Sequence, residues 1–210
     1  GTYIATQFKP IVAKTVYNMT GAKTVLDTSM GWGDRLTGFY ASDATHYIGC
    51  DPNPNTFEVY HQMIQELDKM SPGKTAQIYR CGAEDLPWDD IRDVDCAFTS
   101  PPYFSTERYN EGGDFEEDQS WSKYNEYSIW RDEFYLPVAI NSFNTLSDNG
   151  FLITNIMDPK IKGKRYRSGD ELVDSLRPHW IGQIGMRIMQ RPQGKNKFET
   201  KEDLIEFMNK

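Results

Sequence analysis

The sequence predicts an α/β protein built on a largely parallel sheet, and three observations carry that expectation. Short apolar or β-branched runs alternate with amphipathic stretches through the first half of the chain. Several of these runs end in glycine, aspartate or proline, the residues that turn strands into loops. No internal repeat or long low-complexity tract interrupts the alternation.

A chain of 210 residues is long enough to bury a core without covalent staples, and one domain over 1–210 is expected. The three cysteines, Cys50, Cys81 and Cys96, are odd in number and lack metal-ligand spacing. They point to no metal site and to a reduced, intracellular (cytoplasmic) setting, with a nucleoid-associated or phage-encoded protein within the same expectation. No apolar run approaches the roughly 20 residues that cross a bilayer, so no membrane partner is expected. A net charge of −8 argues against a polyanion bound over the whole surface, so a nucleic-acid partner would need a local basic patch. Gly1 at the start suggests that flanking sequence is missing.

In order along the chain, Pro10–Met19 reads as a helix with Val12, Ala13 and Val16 on its buried side. Lys23–Asp27 is a strand, Arg35–Ala41 a helix, His46–Asp51 a second strand and Phe57–Lys69 the helix after it. Ala76–Arg80 and Val94–Thr99 are the third and fourth strands. The texture then changes: residues 104–128 are polar, aromatic and acidic, a lid-like insertion without clear periodicity. A helix over Ile129–Leu146 should be kinked at Pro137. Asp148-Asn149-Gly150 signals a turn and Phe151–Ile156 a buried strand. A basic loop at 159–168 leads to a helix near Asp170–Leu176, and His179–Met189 reads as one or two closing strands, giving about seven in all.

Two glycines one residue apart, Gly31 and Gly33, follow the first strand and its terminal Asp27. Glycine there admits positive φ and lets a ligand approach the backbone at the carboxyl end of a parallel strand. Asp51, 24 positions after Asp27, ends the second strand, where a carboxylate accepts hydrogen bonds from both hydroxyls of a ribose. A dinucleotide fingerprint wants a third glycine where Leu36 stands, which disfavours NAD. Gly82-Ala83-Glu84-Asp85-Leu86 follows the third strand, and either Asp85 or Glu84 is placed to receive an adenine amino group.

These three loops together resemble those of Rossmann-like class I S-adenosylmethionine methyltransferases. The resemblance implies S-adenosyl-L-methionine as cofactor, with Asp27, Gly31 and Gly33 flanking its methionine part, Asp51 its ribose and Asp85 or Glu84 its adenine. Trp32 between the glycines and Ser29-Met30 before them depart from the usual pattern. Phe8-Lys9-Pro10 loosely resembles the N-terminal cofactor-contacting segment of amino-methyltransferases, which would add Phe8.

The fourth strand runs directly into Thr99-Ser100-Pro101-Pro102-Tyr103-Phe104. Two successive prolines fix φ and remove two backbone donors, leaving carbonyls in set directions. An exocyclic base amine has two N–H donors. If the Ser100 hydroxyl and the Pro101 carbonyl each accept one, the nitrogen lone pair is free to face a methyl donor. Tyr103 would stack on the base, a contact worth about 1–3 kcal/mol in single-strand binders. Positioning supplies most of such catalysis, so no nucleophilic side chain is required. The stretch resembles the (Ser/Asp/Asn)-Pro-Pro-(Tyr/Phe/Trp) signature of nucleic-acid amino-methyltransferases, making Ser100, Pro101, Pro102 and Tyr103 the catalytic set. Serine at the first position is the version usual for cytosine N4, which therefore ranks ahead of adenine N6. A cytosine-C5 enzyme is set aside because no cysteine stands beside a proline.

Base-modifying enzymes flip their target or act on single strands, and the phosphate backbone must be held. Lys160, Lys162, Lys164, Arg165 and Arg167 put five positive charges within eight residues of an acidic chain, which suits phosphate contacts. Arg187, Arg191, Lys195 and Lys197 would extend that face. Glu107, Glu111, Asp114, Glu116, Glu117 and Asp118 would repel phosphate, whereas Tyr109, Trp121, Tyr124, Tyr127 and Trp130 would stack on bases or form a lid. The expected partner is nucleic acid, DNA before RNA, with specificity supplied in part by a partner subunit or by flanking sequence. Methylation of RNA or of a protein amide, or a non-catalytic binding subunit of the same fold, are the alternatives.

Overall fold

The structure is a computed structural model, described here for residues 8–106, 108, 109 and 111–185. The chain divides into two compact units, 1–178 and 179–210, the first of which carries the sheet.

The first unit is an α/β layer structure around five parallel strands: β1 (Thr24–Asp27), β2 (His46–Cys50), β3 (Thr75–Tyr79), β4 (Val94–Thr99) and β5 (Leu146–Thr154). Their order is β3-β2-β1-β4-β5. The direction of winding reverses between β1 and β4, and that reversal opens a crevice at the strands' carboxyl ends. Register along this seam pairs Val25 with Cys96 and Leu26 with Ala97, which brings the loops after Asp27 and Thr99 side by side.

Both faces of the sheet are buried, as a parallel sheet requires. On one face Val25, Tyr47, Cys96 and Phe98 pack against α1 (Pro10–Met19), α2 (Asp34–Tyr40) and α3 (Pro54–Met70). On the other face Leu26, Cys50 and Ala97 meet Ile91, Trp130, Phe134 and Val138. Helix α1 has the expected bounds, with Pro10 in its first turn, where a missing N–H costs nothing, and with Ala13 and Tyr17 fully buried.

The expected sheet of about seven strands is corrected to five. Among the described residues two further strands, β6 (Lys160–Ile161) and β7 (Lys164–Arg165), pair with each other, antiparallel, and not with the sheet. The closing strands expected from His179 do not form over 180–185, and their remainder lies outside the described residues. The turn signal Asp148-Asn149-Gly150 falls inside β5 as a bulge: Val94 pairs with Leu146, but Cys96 pairs with Phe151. Chain that would otherwise turn is looped out of the ladder while the pairing continues.

Between β4 and β5 the 104–128 segment is made of turns, a 3-10 turn at Glu116–Asp118 and α4 (Ser120–Lys123). Next come α5 (Tyr127–Ile129), a π-helical stretch at Trp130–Tyr135 and α6 (Leu136–Asn144). The kink expected at Pro137 appears as this widened turn just before the proline. Widening gives room where the ring would otherwise press on a carbonyl one turn back. Helix α7 (Ser168–Ser175) follows the β6–β7 hairpin.

Candidate active site

The glycine turn after β1 is held from below. Asp27 is fully buried; its oxygens accept from Arg35 Nε at 2.9 Å, the Tyr47 hydroxyl at 2.8 Å and the Ser29 amide at 3.1 Å. Arg35 also donates to the Ser29 carbonyl. Asp27 is therefore placed as the anchor of the turn, fully buried and with three hydrogen bonds to the protein. Gly31 and Gly33 have φ of +58° and +81°, in the left-handed region that favours glycine. A Cβ on Gly33 would lie 2.7 Å from the flexible end of the Met63 side chain, which can give way, so it is the positive φ that makes a side chain strained here.

Asp51 comes directly after β2 and reaches back to the turn: its carboxylate accepts from the Gly31 amide at 2.9 Å and from the Asn53 amide at 3.0 Å. Burial pushes this carboxyl up to about 6, against the opposing pull of those amide donors. Tyr60 of α3 donates to the Gly31 carbonyl, fixing the turn from a third side.

After β3 the two candidate acids separate. Asp85 is exposed. Glu84 folds back over Gly82, where a Cβ would stand 2.3 Å from its carboxylate. One carboxylate oxygen takes Lys123 Nζ at 3.0 Å and the Tyr124 hydroxyl at 3.3 Å, tying the 104–128 segment to this loop. The other, Oε2, is buried and has no hydrogen-bond partner among the described residues. A buried carboxylate oxygen without a donor is costly, and a ligand amino group would relieve it. Phe8 packs edge-on against Phe98, ring centroids 5.8 Å apart, with the Arg35 guanidinium 5.3 Å from its own centroid.

Across the seam, the Thr28 hydroxyl donates to the Thr99 hydroxyl at 3.1 Å, joining the glycine turn to the Ser-Pro-Pro-Tyr loop. Ser100 Oγ and Tyr103 Oη lie 2.9 Å apart. Both meet a residue that the sequence reading missed, Asn155, one position after β5. Its Nδ2 is 3.2 Å from Ser100 Oγ and 3.3 Å from Tyr103 Oη, and its backbone carbonyl accepts from Tyr103 Oη at 3.3 Å. The Asn155 amide also bonds the Thr99 carbonyl at 2.9 Å, which extends the β4–β5 ladder into the site. Only its place at the end of a neighbouring strand marks Asn155 out, and that is a property of sheet order.

Phe104, which ends the motif, has φ +53°. A left-handed conformation is unusual for a bulky residue and clusters at functional loops. It is held by the Phe104 amide on the Pro102 carbonyl at 2.9 Å, and by burial of the ring against Tyr127 and Trp130 at 5.7 and 5.9 Å.

The basic loop is a hairpin. Lys162 and Gly163 at its tip have φ of +47° and +86°, the consecutive positive values of a type I′ turn. Lys160, Lys162, Lys164, Arg165 and Arg167 are all exposed. Tyr166 stacks on Tyr127 with centroids 4.0 Å apart, and Lys164 lies over the Tyr166 ring at 4.7 Å. Glu171 of α7 binds the Tyr127 hydroxyl and Arg131, so α7, which follows the hairpin, is tied to α5 and the π-helical stretch. Arg167 is paired with Asp170 at 3.3 Å. Glu107, Arg187, Arg191, Lys195 and Lys197 lie outside the described residues. Among the described residues, no cluster of His, Cys, Asp and Glu could hold a metal ion, and no helix is long and apolar enough to cross a membrane.

No family model and no curated protein matches this chain. Solved structures align with it at low identity. An rRNA methylase from Streptococcus thermophilus aligns at 12% identity over 82% of this chain and 81% of that one, with a TM-score of 0.49. A methyltransferase from Geobacter sulfurreducens aligns at 13% over 72% and 61%, with a TM-score of 0.46. The N-terminal domain of EvdMO1 with SAH bound aligns at 12% over 47% and 40%, with a TM-score of 0.39. The chain spans less than two thirds of the length of the last two.

Proposed function

We propose that this chain transfers a methyl group from S-adenosyl-L-methionine to an exocyclic amino group of a nucleic-acid base, with DNA as the acceptor and cytosine N4 ahead of adenine N6. The observation that carries the reading is the hydrogen-bonded cluster of Ser100, Tyr103 and Asn155, one seam away from the glycine turn.

The residues fit the cofactor by their donor and acceptor chemistry. Asp51 would accept the ribose hydroxyls, the unpartnered Glu84 Oε2 would accept the adenine amine, and the backbone at Gly31 and Gly33 admits close approach. S-adenosyl-L-methionine, when bound, supplies an electrophilic methyl group. The chain's part is positioning. Ser100 Oγ and the Pro101 carbonyl take the two N–H bonds of the amine, so its lone pair faces the methyl donor. With the cofactor bound, that nitrogen would take the methyl group in exchange for the methyl–sulfur bond, and its surplus proton would leave to solvent. Tyr103, fixed at its hydroxyl by Ser100 and Asn155, presents its ring to the base. The cations of the β6–β7 hairpin hold the backbone phosphates.

Nucleosides from methylated DNA and RNA, resolved by mass spectrometry, test the reading. New N4-methylcytosine or N6-methyladenine in DNA is the expected result. Product only in RNA moves the acceptor; none on either, over varied sequences, overturns the reading. Ser100→Ala and Tyr103→Ala should each lower turnover roughly 100-fold, the usual cost of one well-placed polar group, while calorimetry shows unchanged cofactor binding.

A further inference from the structure

We infer that Gln119, in the acidic 104–128 segment, is a cofactor-binding residue whose side-chain amide donates to ring nitrogen N1 of the adenine of S-adenosyl-L-methionine. The inference deepens the proposed function and rests on its placement of the adenine amine at Glu84 Oε2.

Burial along this segment runs against its composition. Between Phe104 and Tyr127, Gln119 is the one buried residue among those described, at 8% exposure, while the rings of Tyr109 and Phe115 stay at 36% and 41%. A segment that only packed on the fold would bury its rings and leave its amides in water. Gln119 Nε2 is instead buried with no hydrogen-bond partner among the described residues, a costly state for a donor.

The neighbours of Gln119 indicate what would relieve it. It is the N-cap of α4, and its carbonyl takes the Lys123 amide at 3.0 Å, one helical turn on. From the end of that turn Lys123 Nζ and the Tyr124 hydroxyl reach Glu84 Oε1 at 3.0 and 3.3 Å. The turn that Gln119 opens is therefore the one that docks the segment on the loop after β3. That loop and that segment also hold Glu84 Oε2, Trp88 Nε1 and Thr106 Oγ1, buried and unpaired among the described residues; Tyr17 Oη and Trp130 Nε1 lie outside them.

Glu84 Oε2 accepts, Gln119 Nε2 donates, and each lacks its complement. One edge of adenine offers both in adjacent positions, an N–H on the exocyclic amine and a lone pair at N1. Because N1 brings only a lone pair, the bound ring selects the NH2 end of the glutamine amide, whichever way that amide is turned beforehand.

The test is a binding measurement that needs no turnover. Calorimetry on the full chain compares S-adenosylhomocysteine with its 1-deaza analogue, in which N1 is replaced by C–H, and with its 3-deaza analogue, altered on the far side of the ring. The wild type should bind the 1-deaza ligand about tenfold more weakly than S-adenosylhomocysteine, the effect of one buried donor left unmatched. Gln119→Leu and Gln119→Met should each lose about tenfold for S-adenosylhomocysteine and bind it and the 1-deaza ligand within about twofold of each other. The 3-deaza ratio should be the same in all three proteins. Thermal melts confirm that the variants are folded. A Gln119 that only packs the segment would leave the N1 ratio of the wild type intact in both variants. Either variant, if folded, keeping that ratio overturns the inference, as does a 3-deaza ratio that shifts as far as the N1 ratio, or a wild type that binds the first two ligands equally. In each of these cases S-adenosylhomocysteine still binds and the cofactor reading stands. A wild type that does not bind S-adenosylhomocysteine overturns that reading and the inference with it.

Discussion

At the scale of single residues, the two acids that follow β1 and β2 have different work. Asp27 is spent on holding its turn, and its ion pair with Arg35 is buried on both sides, at 0% and 5% exposure. Removing one partner of such a pair leaves a charge without compensation. Arg35→Met should therefore cost about 3–5 kcal/mol, read as a shift of the urea midpoint at unchanged slope. Asp51 is the acid that the proposed function turns toward the cofactor's ribose. Its folded carboxyl titrates at about 6, above its unfolded value, so the folded state holds the extra proton and the group's contribution to stability declines as pH rises through that window. Cofactor binding has the opposite slope, because ribose hydroxyls donate to the ionised form. S-adenosylhomocysteine affinity, measured by calorimetry, should fall as pH drops below about 6, by up to tenfold per unit, and Asp51→Asn should flatten the profile.

Elements decide how the substrate side is built. The hairpin β6–β7 places Lys160, Lys162, Lys164 and Arg165 on a frame fixed by the Tyr166–Tyr127 stack and by Glu171. A frame of this kind presents cations at low entropic cost, in contrast to a free loop. Lys162→Glu with Lys164→Glu should weaken oligonucleotide binding and reduce its dependence on salt by roughly two phosphate contacts, while cofactor binding is unchanged. Salt titration by fluorescence anisotropy reads both. If the slope of log affinity against log salt stays that of the wild type, the hairpin does not meet phosphate. The acidic 104–128 segment is anchored at a different place, on Glu84 through Lys123 and Tyr124, so this segment and the loop after β3 share one carboxylate.

At the scale of the whole molecule, a ligand that binds only the folded sheet adds its binding energy to stability. S-adenosylhomocysteine at 100 times its dissociation constant should contribute about 2.7 kcal/mol and raise the melting temperature accordingly, whereas NAD should leave it unmoved. A thermal shift produced equally by both would contradict the cofactor assignment. Much of the fold could be read before any coordinates. Five strands and α1–α3 follow from local pattern, because a parallel sheet covered on both faces leaves apolar runs and glycine or acid punctuation in the chain itself. The Ser100-Pro101-Pro102-Tyr103 stretch and the Gly31–Gly33 turn are local for the same reason: φ constraints and donor inventories belong to residue types. What sequence could not supply is what depends on strand order. Asn155 lies 55 residues from Ser100, and only the β4–β5 pairing brings it there. The different surroundings of Glu84 and Asp85, the enclosure of Asp27 by Arg35 and Tyr47, and the stacking of Tyr166 on Tyr127 are likewise set by neighbours distant in the chain. The sequence by itself determined β1–β4, the glycine turn after β1 and the chemical types at the site. The tertiary structure decided which of those groups keep a free lone pair, because that depends on every donor within reach.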